Sequence, residues 1–185
     1  EGYGNMGALA TDAELLELDK AKGISSPDYQ RASRPFSYNC GFTLSESAQF
    51  FVLCDDELAL ELGATIYGAI PNVFVHADGF KKSIPSPGVG NYLTVAKSVA
   101  YMRSMLGEKA IQQRSYMVAH GTSTPQNRTT ESMILNETAK VFDIDKWIIA
   151  ANKCYVGHPL SPASGDQLAM VLGSFNQGII PGIAT

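Results

Sequence analysis

Apolar positions in this chain fall into short groups whose spacing changes along it. Thr11 followed by Glu14 has the form of a capping box, in which each side chain satisfies a backbone N–H at a helix start. It predicts a short helix from Asp12 to about Lys20. "GISSPDYQRASRPFS" then reads as loop, punctuated by Pro27 and Pro35. From Phe42, "FTLSESAQFFVLCD" alternates and then runs continuously apolar, as a strand entering a sheet does. "DELALELGA" predicts a short helix closed by Gly63. "TIYGAIPNVFVHADG" predicts one long strand or two shorter ones, with Pro71 at an edge or bulge. The Pro- and Gly-rich "KKSIPSPGVGN" reads as surface loop. A helix from about Tyr92 to Leu106 follows, with Tyr92, Val95, Ala96 and Val99 on one face and Gly107 just past its end.

Two similar units close the chain. Ser115 to Ala119 is a short apolar strand, and a polar turn leads from it to a helix beginning near Glu131. Trp147 to Ala151 is a second such strand, and "NKCYVGHPLSPASG" leads from it to a helix from about Asp166 to Phe175. Apolar strands without alternation, followed by amphipathic helices, predict an α/β fold whose parallel strands are covered on both faces.

Composition narrows the function. With 45% hydrophobic and 17% charged residues, the 185-residue chain can build one sizeable core. A net charge of −4, with Lys81-Lys82 the only basic doublet, excludes a basic stripe and argues against a nucleic-acid partner. No apolar run approaches the roughly 18 residues that span a bilayer, so no membrane partner is expected. Three cysteines, Cys40, Cys54 and Cys154, suit a reducing, cytoplasmic compartment. Gly2-x-Gly4-x-x-Gly7 matches a dinucleotide fingerprint in letters only, because strand, turn and long helix do not surround it.

Reactive groups in parallel sheets gather beyond the carboxyl ends of the strands, and both polar turns sit there. The first carries His120, Thr122, Thr124 and, at its helix, Glu131. The second carries Asn152, Lys153, Cys154 and His158. One such histidine reads best as a satisfied buried imidazole, and His76 keeps that reading. Two at equivalent points favour chemistry. No His-x-x-x-His or Cys-x-x-Cys spacing supports a metal, and no Gly-x-Ser-x-Gly elbow supports a serine hydrolase. Imidazole N–H donors at strand ends suit an oxyanion, such as a thioester carbonyl gaining charge during carbon–carbon bond formation.

"AHGTSTP" with Glu131 eleven positions after His120, "NKCYVGH" and "SPASGDQLAMVLGSFNQGIIPG" together resemble the C-terminal half of 3-oxoacyl-(acyl-carrier-protein) synthases, the condensing enzymes with the thiolase fold. "RPFSYNCGFTLSESAQFFVLCDDELALELGATIYGAI" resembles the family's preceding hairpin. The resemblance implies a layered αβαβα fold, with a mixed sheet and helices on both faces. Residues 1–35 would end the N-terminal half, and 36–185 would form the C-terminal half, stopping short of its usual end. It further implies decarboxylative Claisen condensation of an acyl group with malonyl-carrier protein, in fatty-acid or polyketide synthesis, by a homodimer that needs no cofactor. By the same resemblance His120 and His158 hold the malonyl thioester carbonyl, Lys153 is the motif lysine, and Glu131 pairs with it. Thr122 and Thr124 bond the phosphopantetheine arm of the carrier protein.

Three departures accompany the match. None of the cysteines fits the family's nucleophile, so the chain alone is expected to be inactive. Lys153 beside Cys154 makes a lowered thiol pKa conceivable, although a structural cysteine is the stronger reading. "LSESAQ" and "GHPLSPASG" replace commoner glycine-rich stretches, which marks a divergent branch. Two alternatives stay open: a thiolase-type acyltransferase acting on coenzyme A esters, and a non-catalytic subunit resembling a chain-length factor.

Overall fold

The computed structural model describes residues 2–79 and 88–185, so the predicted loop at 81–91 lies largely outside the described residues. A one-turn helix, α1 (Gly2–Asn5), precedes α2 (Asp12–Asp19). The Thr11–Glu14 capping box forms as expected, with the Glu14 N–H donating to Thr11 Oγ1 and the Thr11 N–H to Glu14 Oε2. A 3₁₀ turn, Lys20–Lys22, continues α2 and ends at Gly23, whose φ of 74° is left-handed.

Helix α3 (Asp56–Glu61) and helix α4 (Val89–Leu106) match the sequence pattern, α4 starting a turn earlier than periodicity suggests. Helix α5 (Glu108–Arg114) was not anticipated; Gly107, at φ 83°, lets the chain turn directly from α4 into it. Strand β1 (Tyr116–Val118) then pairs in parallel with β2 (Ile148–Ala150), in the register Tyr116↔Ile148, Met117↔Ile149, Val118↔Ala150. Between them runs α6 (Pro125–Val141). After β2 come a single turn, α7 (Lys153–Val156), and α8 (Ala163–Gln177). Val99 of α4, Ile111 of α5, and Phe142 and Ile144 after α6 form a buried cluster, with Trp147 packed against it. Trp147 leads directly from that cluster into β2.

Two expectations are corrected. The stretches 42–55 and 65–79 are expected to hold strands of a mixed sheet, whereas the sheet in the described residues is two-stranded and parallel. Beyond the isolated bridges Leu9–Phe42 and Leu44–His158, the chain from 46 to 78 carries no ladder among the described residues. Alternation describes which face a strand buries, and a strand also needs a neighbour to receive its hydrogen bonds. Here Phe50 and Val52, on one face, are 96% and 95% exposed, and Leu53, on the other, is 74% exposed, so neither face is covered there. The second correction concerns α6. It begins at Pro125, six residues before the predicted start, because Thr124 caps it by accepting the Asn127 N–H and proline at the first position loses nothing by lacking an N–H.

Candidate active site

Register determines what meets at the strand ends. Val118 faces Ala150, so the residues two beyond each, His120 and Asn152, leave the sheet level with one another, and Lys153 follows at once. Ala119, Ala150 and Ala151 are almost completely buried, and only small side chains fit between the strands and the layers around them. Gly121 has φ +51°, and a Cβ there would lie 2.8 Å from the Ala151 Cβ and 3.2 Å from the Pro35 Cβ, so no larger residue fits. The turn is pinned from inside by Glu131, whose Oε1 accepts the His120 N–H at 2.6 Å and whose Oε2 accepts the Gly121 N–H at 2.8 Å. From α8, Gln167 Nε2 donates to the Ala119 carbonyl at 2.5 Å.

Lys153 is 1% exposed and donates to the His120 carbonyl at 2.6 Å, with Nζ 3.4 Å from His120 Nδ1. Lys153 and Glu131, expected to pair, grip the His120 backbone unit from opposite ends. Both oxygens of Glu131 hold backbone N–H groups. Burial lowers the Lys153 pKa to about 8, against the opposing pull of the Glu131 and Asp166 charges.

His158 is held by the segment leading from the Arg-Pro-Phe loop. Its N–H donates to the Thr43 carbonyl at 2.8 Å, the Ser45 N–H donates to its carbonyl at 3.3 Å, and the Phe42 ring packs at 5.0 Å between centroids. The Leu160 N–H donates to His158 Nδ1 at 3.1 Å. A nitrogen that accepts a backbone N–H carries no proton, so the His158 proton sits on Nε2. The same logic applies to His120, whose Nδ1 faces the Lys153 ammonium. The two rings lie edge to face, 5.3 Å between centroids. Desolvation first, then the Lys153 charge, pulls both pKa values down to about 4, with His158 adding a further push on His120. His158 is buried. His120 is open to the cavity on one side and crowded by protein on the others, so solvent there offsets part of its shift. Both imidazoles are neutral near pH 7.

A cavity of about 1020 Å³ adjoins the pair, and His120, Thr122, Thr124, Glu131 and His158 all line it, with Lys153 sealed behind. The Thr122 and Thr124 hydroxyls lie 3.1 Å apart. All six residues singled out from sequence therefore converge here. His76 does not join them and bonds Thr94 and Lys97 of α4. Cys154 donates to the Ala151 carbonyl, and burial raises its pKa; its neighbour's ammonium points to His120, so sequence adjacency does not lower it. No group of three or more His, Cys, Asp or Glu in the described residues is placed to hold a metal. Sequence reasoning missed Asn127, Gln167 and Phe42. The Thr124-Pro125 start signal would have placed Asn127 in the first turn of α6, facing this site.

A family model described as "Beta-ketoacyl synthase, C-terminal domain" matches residues 67–185. Over all 185 residues the chain is 56% identical to the beta-ketoacyl-(acyl-carrier-protein) synthase FabY of Pseudomonas aeruginosa, and it covers 29% of that protein's length. The crystal structure of the "noncanonical ketosynthase FabY" superposes with a TM-score of 0.91, over 98% of this chain and 28% of that one. A ketosynthase solved with the acyl-carrier protein of a type II polyketide system shares the fold at a TM-score of 0.72 and 23% identity, over 95% of this chain and 40% of that one. The chain thus spans less than a third of the length of the curated relative it matches end to end, and its architecture is the thiolase-like α/β arrangement of these ketosynthases.

Proposed function

The chain belongs to the beta-ketoacyl synthase family, and from that premise we propose that His120 and His158 stabilise the enolate formed when a malonyl thioester loses carbon dioxide. The carbon–carboxylate bond of the malonyl group breaks, its electron pair passes into the thioester carbonyl, and two Nε2–H groups receive the developing oxyanion. The enolate carbon then attacks the acyl thioester borne by the synthase's nucleophile, a carbon–carbon bond forms, the nucleophile leaves as thiolate, and the product stays on the carrier that brought the malonyl group. Each well-placed donor to such an oxyanion contributes about 3–4 kcal/mol. The observation that carries this reading is the shared orientation of the imidazoles: both Nδ1 atoms face hydrogen-bond donors, and both rings line one cavity.

Lys153 acts on His120 rather than on substrate, its ammonium keeping Nδ1 unprotonated so that the donor stays on Nε2. Glu131 fixes the turn. None of Cys40, Cys54 or Cys154 bears the acyl group in this scheme, and the nucleophile lies elsewhere in the synthase. The malonyl group arrives on the phosphopantetheine arm of an acyl carrier protein, with the Thr122–Thr124 hydroxyl pair positioned along the arm. The family assignment favours this scheme over a thiolase-type acyltransferase.

In the intact synthase, His120→Ala and His158→Ala should each abolish elongation of malonyl-carrier protein while self-acylation of the nucleophile persists. Elongation at the parental rate in both variants would remove the assigned roles. A parental protein that binds carrier protein but never becomes acylated would instead mark a non-catalytic subunit.

A further inference from the structure

Asn127, the third residue of α6, lines the cavity beside His120, Thr122, Thr124 and His158. Its Oδ1 accepts the Thr122 N–H at 3.0 Å, and its own N–H donates to Thr124 Oγ1 at 3.2 Å. A backbone N–H only donates, so the carboxamide oxygen is fixed towards Thr122, and the group left for the cavity is the NH₂. The threonine pair adds little donor capacity. Two hydroxyl protons serve two oxygens 3.1 Å apart, one proton lies between them, and a single proton remains to offer a ligand.

A phosphopantetheine arm carries two secondary amides, each with a carbonyl that loses water on entering the site, and an unpaired carbonyl there is costly. We propose that the Asn127 NH₂ donates to one amide carbonyl of the arm while the threonine pair serves the other. This rests on the ketosynthase reading above. Asn127 is then a specificity-determining residue for arm-borne substrates, distinct from the histidines that act on the thioester.

The test compares two substrates of the intact synthase: malonyl-pantetheine, which has both amides, and malonyl methyl thioester, which has none. Asn127→Asp keeps an oxygen for the Thr122 N–H and removes both donors. Its new charge meets the same malonyl carboxylate in either substrate, so the ratio of the two KM values reports the arm alone. That ratio should rise about tenfold, the loss expected of one hydrogen bond, with kcat for malonyl-pantetheine retained. Asn127→Ala, which also releases the Thr122 N–H, should raise the ratio at least as far. A ratio unchanged in both variants overturns the proposal and reduces Asn127 to support of the turn. A parental synthase that elongates neither malonyl-pantetheine nor malonyl-carrier protein overturns the ketosynthase reading, and this inference with it.

Discussion

The chain from 116 to 158 and the chain from 46 to 78 carry similar apolar runs, yet they fold under different constraints. In the first, each turn residue is tied by several partners: Glu131 and Lys153 grip one backbone unit, and Ser33 Oγ meets the Ser123 Oγ at 3.0 Å from another loop. The tie continues outward. Ser33 precedes Arg34, whose guanidinium holds Asp19 at the end of α2, both side chains almost completely buried. In the second stretch the ties are spread out along the chain. Ser47 and Gln49 reach Asp166 of α8, His76 and Asp78 bond Thr94, Lys97 and Asn91 of α4, and α3 satisfies its own backbone. Equal hydrophobicity therefore does not imply equal order of contacts; the difference lies in whether polar partners converge.

Cutting the outermost tie should have the largest effect. Asp19→Ala would strand the Arg34 guanidinium in the interior and cost about 3–5 kcal/mol, whereas Glu17→Ala, removing the exposed partner of Lys20, should cost under about 1 kcal/mol. The guanidinium also holds the Asp19 carboxyl below the usual carboxylate range, so the pair is present above the ordinary pKa and is lost as pH falls through the lowered one. Shifts in denaturant midpoint of the two variants measure the contrast, and equal shifts would contradict it.

Glycines at similar dihedral angles give the next contrast. Gly121 and Gly63 have φ of 51° and 60°, but a Cβ at Gly121 meets Ala151 at 2.8 Å, while one at Gly63 meets nothing within 4 Å. Gly63→Ala should lose about 1–2 kcal/mol, the left-handed backbone cost alone. Gly121→Ala adds the overpacking cost of about 1–3 kcal/mol, with loss of elongation as the turn shifts. Thermal midpoints that drop equally would show the site turn to be no tighter than the α3 end.

Titration separates site from scaffold more gently. The Lys153 pKa near 8 lies below its ordinary 10.5, so between those values the unfolded chain binds more protons and stability rises with pH. Over the same interval His120 loses the charged donor at Nδ1, and kcat/KM should fall about tenfold per pH unit. Falling activity with rising stability marks Lys153, because general alkaline unfolding would lower both. On the acid side the signs agree. His158 has a folded pKa near 4 against an ordinary 6.5, so its contribution is complete above 6.5 and is lost as pH falls towards 4. Stability should decline from about 6.5 downwards, while elongation, which follows the folded imidazole, should fall only as pH nears 4.

These contrasts also explain what the sequence revealed. The strand–turn–helix units were legible because short apolar runs alternate with amphipathic ones along 115–177, and the turn residues announced themselves as histidine, lysine and threonine where apolar texture broke. The pairing of Glu131 with Lys153 is expressed through charge and through the His120 backbone unit that both hold, a detail that side-chain charge in the sequence does not specify. The apolar texture of 42–55 and 65–79 suggested strands because it states a need for a neighbour without showing that one exists. Asn127 escaped because the helix start was read at Glu131 instead of from its cap, Thr124.

The smallest contrast is between two helix caps. Asp55 accepts the Leu58 N–H of α3 at 2.8 Å on an exposed surface, and Thr124 accepts the Asn127 N–H of α6 at 3.2 Å beside the cavity. On cap geometry alone the shorter, charged Asp55 bond is the stronger, and Asp55→Ala should cost about 1 kcal/mol. Thr124 has a second obligation, because its hydroxyl also meets that of Thr122 and its cap orients Asn127. Thr124→Ala should therefore cost about 1–2 kcal/mol and, unlike Asp55→Ala, raise the KM for malonyl-pantetheine. Thr124→Ser keeps the hydroxyl and should restore both. If Asp55→Ala proved the more damaging and Thr124→Ala left KM unchanged, the site-side cap would be a helix cap and nothing more, and the distinction between the two regions would end at their backbones.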